Sequence, residues 1–137
     1  MEVKEKKRDV KMAQFNIDLR RLLEYYLKLT KPMHKLKDKE IDLTVAILMM
    51  YYSELDNFAR RSDAWKKVFE YDTKILIMEE LGIANLQVFN NYLTALRKKG
   101  VIKNNEVVPN YTPITELDTD IFELKFIFNI IKKDGER

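Results

Sequence analysis

The sequence predicts a mainly α-helical domain with a small antiparallel β-sheet. Apolar residues recur at helical spacing in several segments, and glycines stand where two of those segments end. Asn104 and Asn105 separate two short apolar runs, 101–103 and 106–108, which is typical of a tight hairpin turn. With 46% apolar and 34% charged residues among 137, the composition is that of one globular domain.

The first predicted helix runs from an N-cap at Asp18 to Leu29, and Pro32 follows its end. A short basic link then leads to a second helix, which Asp38 is expected to cap. Apolar residues lie on one face of this second helix and also elsewhere around it, so we expect it to be the buried centre of the domain. The residues of the one face are Ile41, Val45, Leu48, Tyr52 and Leu55.

Three more helices are predicted before the hairpin. A short helix around Trp65 precedes a helix that is capped by Asp72 and ended by Gly82. The last helix extends from about Asn85 to Lys99, and Gly100 follows it as a C-terminal cap, where a left-handed backbone costs a glycine little. The apolar residues of this last helix are spaced by three, four and three positions: Leu86, Phe89, Leu93 and Leu96.

The segment from Ile121 to Ile130 alternates between apolar and polar residues, which predicts a C-terminal β-strand. Such a strand needs something to cover its apolar face, and three arrangements remain open. It can extend the hairpin sheet, pair with the segment from Val10 to Ile17, or pair with a neighbouring subunit as an assembly strand. The side chains on its apolar face are Phe122, Leu124, Phe126, Phe128 and Ile130.

The region from Ile77 to Ile83, followed by a helix whose end reads Leu-Arg-Lys-Lys-Gly-Val-Ile over residues 96–102, resembles the winged helix-turn-helix superfamily. Proteins of that superfamily have a positioning helix, a tight turn with glycine, a second helix and a two-stranded wing. Here Gly82 permits the turn, and Ile83 fills the angle between the two helices. The resemblance covers about residues 38–108 and implies a winged-helix-like core. The buried second helix predicted in this chain would correspond to the first helix of that core.

The same resemblance implies a contact surface for nucleic acid or a protein partner on the last helix. Between residues 84 and 96 that helix has no Lys or Arg, so base reading would depend on Asn and Gln. Phosphate contacts would come from the helix end, the wing and the N-terminal arm. The alternative is a polar helix face turned to solvent or to another protein. The candidate contact residues are Asn85, Gln87, Asn90, Asn91, Arg97, Lys98, Lys99, Lys103, Lys4, Lys6, Lys7 and Arg8.

The charge is unevenly distributed, although its net value is only +3. Residues 1–38 hold 11 Lys and Arg against 6 Asp and Glu, whereas residues 39–137 hold 14 against 16. Residues 106–124 include five acidic residues and no Lys or Arg. Any electrostatic attraction for phosphate is therefore expected in the N-terminal third, with an acidic surface near the C-terminus.

We predict that the protein is not an enzyme and that it uses no metal and no cofactor. The chain has no Cys and one His, and His34 has no carboxylate or nucleophile at a suggestive spacing, so we expect it to be a surface residue. The longest apolar run, from Val45 to Tyr52, is too short to span a membrane, and the first eight residues have no apolar stretch typical of a signal peptide. We therefore expect a cytoplasmic or virion-associated protein without a membrane partner.

Two functions from different classes follow from these observations. We favour a non-enzymatic winged-helix module that acts as a structural subunit of a larger assembly, binding copies of itself or other proteins, with weak nucleic-acid binding at most. The sequence also has a faint likeness to small uncharacterised proteins of tailed bacteriophages, which implies a virion ring or connector component. The alternative is a DNA-binding transcriptional regulator or replication accessory protein. In either case the single globular unit divides into a basic arm and helix over 1–37, the core over 38–108, and an acidic loop with the strand over 109–137.

Overall fold

The computed structural model describes residues 6–132, which form six α-helices and one two-stranded antiparallel sheet. The expectation of a mainly helical chain with a small antiparallel sheet is confirmed. The helices are α1 (Leu19–Leu29), α2 (Lys31–His34), α3 (Asp38–Glu54), α4 (Arg61–Val68), α5 (Tyr71–Leu81) and α6 (Leu86–Lys98). The strands are β1 (Ile102–Lys103) and β2 (Glu106–Val107), and 3-10 turns occupy Leu55–Asn57 and Pro109–Tyr111.

Helix α3 is the centre of the fold, as its apolar pattern predicts. It contacts α1, α4, α5 and α6, and most of its side chains from Glu40 to Leu48 are buried. Near its C-terminal end, the ring of Tyr51 stacks on Trp65 of α4 with 3.9 Å between ring centroids. Burial on nearly every side explains why α3 is apolar around most of its circumference rather than along one stripe.

The start of α1, the end of α5 and the hairpin turn are formed by the capping and turn residues that the sequence predicts. The Asp18 carboxylate accepts the Arg21 amide at 2.9 Å and begins α1. Gly82 ends α5 with a φ of 69°, a conformation that favours glycine. In the hairpin, Asn104 and Asn105 both have positive φ, 54° and 56°, as a type I′ turn requires.

Three predicted boundaries differ in detail. Helix α3 begins at Asp38 itself, because the Glu40 carboxylate reaches back to accept the Lys37 amide at 2.8 Å. Helix α5 has Glu70 rather than Asp72 at its N-cap. Pro32 does not simply follow a helix end, since it lies in the first turn of α2, where a proline needs no amide hydrogen.

Two tyrosines attach the segment after the hairpin to the helices. The Tyr26 hydroxyl of α1 donates to the Asn110 carbonyl, and the Tyr52 hydroxyl of α3 donates to the Ile114 carbonyl, each at 2.6 Å. Burial raises the pKa of Tyr52 well above its ordinary value, so this hydroxyl keeps its proton and its role as a donor. The chain is thereby fixed to the core as far as Ile114.

The predicted strand from Ile121 to Ile130 is wrong: this segment has no regular secondary structure. A strand requires a neighbour for its backbone hydrogen bonds, and within residues 6–132 the sheet contains only β1 and β2. Neither the extension of the hairpin nor the pairing with the segment from Val10 to Ile17 is formed. Alternation predicts two faces for the side chains, but among residues 6–132 this segment has no strand to pair with.

Candidate nucleic-acid and partner interface

The exposed side of α6 has no charged residue before Arg97, and its exposed residues up to that point are polar except for Val88. Gln87, Asn90 and Asn91 are exposed there, as a contact surface requires. Asn85 has a different role, because its side-chain oxygen accepts the Gln87 amide at 2.7 Å and caps the helix. A residue committed to this cap is poorly placed to read a base, so three of the four candidate amide side chains remain for contacts.

The basic residues at the end of α6 divide into two groups. Arg97, Lys98 and Lys103 are exposed and able to contact a phosphate or an acidic partner. Lys99 instead donates to the buried Glu40 carboxylate of α3, with 2.6 Å between Nζ and Oε1. This ion pair joins α6 to the start of α3, so Lys99 acts first as a structural residue.

The charge state of Glu40 follows from opposing effects. Burial raises its pKa, but the hydrogen bond from Lys99 and the one from the Lys37 amide outweigh burial, and the net pKa of Glu40 is lowered. The carboxylate is therefore ionised at neutral pH and holds Lys99 by a charge-assisted hydrogen bond. The two residues are 59 positions apart, and no short-range sequence pattern indicates their pairing.

A groove of about 500 Å³ runs between the start of α3 and α6. Its walls include the apolar Val88, Tyr92 and Ala95, together with Asn91 from the polar face of α6 and the charged residues 37–40. A hydrogen bond from Lys31 lowers the pKa of Asp38, so that carboxylate is ionised beside the groove. A neighbouring depression adds the carboxylates of Asp42 and Glu80. Lys37 and Lys39 lie beside these carboxylates, and Asp38, Glu40 and Glu80 each form an ion pair, so this side of α6 carries mixed charge rather than a basic patch.

The N-terminal arm, residues 6–17 of the described chain, has no regular secondary structure. Lys6, Lys7 and Arg8 are exposed, and within the described range no hydrogen bond or ion pair joins them to α6. Lys4 lies outside the described residues. Contacts of these kinds therefore do not link the basic candidates of the described arm to those of α6.

A row of exposed apolar side chains along α1 and α2 was not predicted. Tyr25, Leu29 and Met33 follow one another at four-residue intervals and are 45%, 56% and 67% exposed. We call these three residues the α1 ridge. Their spacing is a readable signal. Tyr25 and Leu29 mark a second apolar side on α1, whose core side is occupied by Leu23 and Leu27, and Met33 repeats the interval in α2.

The segment from Leu117 to Lys132, which we call the tail, contacts the core only near its start. Phe122 packs edge-to-face on Tyr26 with 5.8 Å between ring centroids, and Leu124 is half-buried. Beyond that point Phe126, Phe128 and Ile130 are 41%, 82% and 81% exposed. The Phe126 and Phe128 rings stack on each other at 6.3 Å, so the two side chains share one side of the tail.

The expectation that His34 is a surface residue needs correction, because its ring is half-buried and both nitrogens are used. The Leu36 amide can only donate, so Nδ1 accepts it at 3.0 Å. Nε2 therefore carries the hydrogen and donates to the Leu27 carbonyl at 2.7 Å. His34 thus satisfies backbone groups around the short helix α2.

Comparison of the chain with protein-family models, with curated proteins and with solved structures finds no match. Across residues 6–132, no three His, Asp or Glu side chains are grouped so that they could hold a metal ion. Over the same range, the helices are all too short or too polar to cross a membrane. The exposed surfaces described above are the polar face of α6, the α1 ridge and the tail.

Proposed function

We propose that this protein is a non-enzymatic, winged-helix-like interaction module that serves as a structural subunit of a larger protein assembly. The observation that carries the proposal is the exposed apolar part of the tail, where Phe126, Phe128 and Ile130 face solvent. Large apolar side chains grouped on a surface are typical of protein interaction sites. Their burial against a partner would supply the stability that the chain alone does not gain from them.

The order of elements supports the winged-helix part of the proposal. A buried helix, α3, is followed by α5, a turn at Gly82, α6 and then the β1–β2 hairpin in the position of a wing. Helix α4 is an addition between the first and second helices of this scheme. Leu93 and Leu96 are buried on the side of α6 opposite to its polar face, as the scheme requires.

The surface of α6 favours a protein partner over DNA. Its exposed amide side chains have no basic residue among them before Arg97, and Lys99 is held by Glu40. The groove beside it is lined by charges of both signs, Lys37 and Lys39 together with Asp38 and Glu40, and forms no basic patch. Since phosphate contacts supply most of the affinity in DNA binding, a surface with this charge distribution is better suited to a protein. A virion ring or connector is the particular assembly that the faint bacteriophage likeness suggests.

Removal of the exposed tail tests this function. We expect a chain truncated after Lys125 to keep the helical circular dichroism and unfolding temperature of the full chain, because Phe122, Leu124 and the Ile114 attachment remain. We also expect it to lose the self-association or partner binding of the full chain, measured by size-exclusion chromatography with light scattering. A chain truncated after Lys132, which keeps Phe126 to Ile131, is the matched control and should associate normally. Association that survives truncation after Lys125 would contradict the proposal.

Binding to DNA should be weak and salt-sensitive. We expect duplex DNA to be held mainly through the arm residues Lys6, Lys7 and Arg8 together with Arg97 and Lys98, so affinity should fall steeply between low and physiological salt. Fluorescence anisotropy with duplexes of several sequences, at two salt concentrations, measures this. Nanomolar, sequence-specific binding at physiological salt that is lost in Asn91→Ala would instead establish the DNA-binding regulator.

A further inference from the structure

We infer that the N-terminal arm and α1 form a binding site for single-stranded nucleic acid, with Phe15 and Tyr25 as the side chains on which unpaired bases stack. The site is separate from α6 and from the tail, so it goes beyond the protein partner of the proposed function. It combines the two features that bind a single strand without base-specific contacts, cations for the phosphates and exposed rings for the bases.

Positive charge is concentrated in this part of the described chain. Residues 6–35 hold 9 Lys and Arg against 3 Asp and Glu, whereas residues 36–132 hold 13 against 15. Of the nine basic residues, Arg20 and Lys31 are half-buried and form ion pairs with Glu80 and Asp38. The other seven are exposed, so this surface has a net positive charge that attracts phosphates.

Two exposed aromatic rings lie where the arm meets α1. Phe15 of the arm packs edge-to-face on Tyr25 of α1, with 6.4 Å between ring centroids. Although they contact each other, the two residues remain 67% and 45% exposed. Exposed rings of this kind offer faces on which the bases of a single strand can stack.

Cations flank the ring pair on both elements. On α1, Arg21 precedes Tyr25 by four positions and Lys28 follows it by three, which places them on neighbouring turns of one exposed side. On the arm, Lys11 is exposed four positions before Phe15. Within residues 6–132, Lys28 forms no ion pair, and the one that Arg21 forms is 3.8 Å long and leaves its side chain 70% exposed. The rings therefore lie among cations that can contact the phosphates between successive bases.

The rings favour a single strand over a duplex. Bases within a duplex stack on one another, whereas those of a single strand are free to stack on aromatic side chains. A duplex would therefore use only the cations of this surface. Leu29 lies beside Tyr25 on α1 and is 56% exposed, but it has no ring on which a base can stack. Its replacement therefore distinguishes base stacking from a general apolar contact with a protein or a lipid surface.

Two double variants separate the role of the rings from that of the charges. The ring variant carries Phe15→Leu and Tyr25→Leu, which keep an apolar side chain but remove both rings. The cation variant carries Arg21→Gln and Lys28→Gln, which remove two positive charges. All four side chains are exposed, so both variants should unfold at the temperature of the wild type, as circular dichroism would show.

Each variant has a matched control elsewhere on the surface. Tyr71→Leu removes an aromatic ring that is 66% exposed at the start of α5. The double substitution Arg60→Gln and Lys66→Gln removes two exposed charges and gives the same net charge as the cation variant. Leu29→Ser removes the apolar neighbour of Tyr25. All three controls should bind the probes nearly as the wild type does.

The probes are a fluorescent strand of about 12 thymidines, within the range of site sizes for such proteins, and a strand with the same number of phosphates but no bases. Fluorescence anisotropy at low salt should show that the wild type binds the thymidine strand more tightly than the base-free strand. The ring variant should lose at least about fivefold in affinity for the thymidine strand and bind the base-free strand unchanged. The cation variant should bind both strands more weakly.

Three results would each overturn this inference. They are equal affinity of the wild type for the two strands, unchanged binding of thymidines by the ring variant, and a loss in Leu29→Ser as large as that in the ring variant. The last result would instead indicate a general apolar contact. A chain truncated after Lys125 keeps the arm and α1 and should bind thymidines as the full chain does. Failure of the nucleic-acid site is therefore distinguishable from failure of the proposed function.

Discussion

Replacement of Leu96 by alanine should lower the free energy of unfolding by about 2–5 kcal/mol, because it removes a fully buried side chain and leaves a cavity where α6 meets the core. Leu93→Ala should have an effect of the same size for the same reason. Urea unfolding followed by circular dichroism measures both. Equal stability of wild type and both variants would mean that α6 does not pack on the core through this side.

Gln87→Ala is the matched control for these substitutions. Its side chain is exposed on the same helix, and alanine favours a helix, so we expect a change within about 0.5 kcal/mol. A comparably large loss in the control would indicate that α6 is sensitive to substitution in general. The contrast between the two sides of α6 is therefore the quantity to measure.

Replacement of Lys99 by methionine should cost about 2–3 kcal/mol at neutral pH, because the buried carboxylate of Glu40 loses its charged partner. This value lies below that for a fully buried pair, because the Lys99 side chain is 36% exposed and water screens the interaction. Lys98→Met, at an exposed neighbouring position, is the matched control and should change stability little.

The loss of unfolding free energy caused by Lys99→Met should become smaller as the pH falls. The pKa of Glu40 is lower in the folded chain than in the unfolded chain, so its ion pair stabilises the fold above the unfolded pKa and loses that contribution as the pH falls through the folded pKa. The difference in unfolding free energy between wild type and variant should therefore shrink between neutral pH and about pH 3. A difference that stays constant over this range would assign the loss to packing of the lysine stem.

The elements that were predicted correctly are those set by neighbouring residues. Helix α6 begins after an Asn85 cap and ends before Gly100, and the Asn104–Asn105 turn sets the hairpin, because each depends on chemistry within a few positions. The ion pair of Glu40 and Lys99 depends on the packing of α6 against α3. No local sequence pattern predicts that packing. The prediction of a C-terminal strand was wrong for a related reason. Alternation indicates which side chains share a face, but it does not indicate which other segment would pair with the backbone.

The Phe122–Tyr26 contact sets the reach of the tail. Phe126 follows Phe122, which is held on α1, by only four positions, and an extended chain covers about 13 Å over that distance. Under the proposed function, a tether this short requires the partner that covers Phe126 to lie directly against α1 of the chain that supplies the tail.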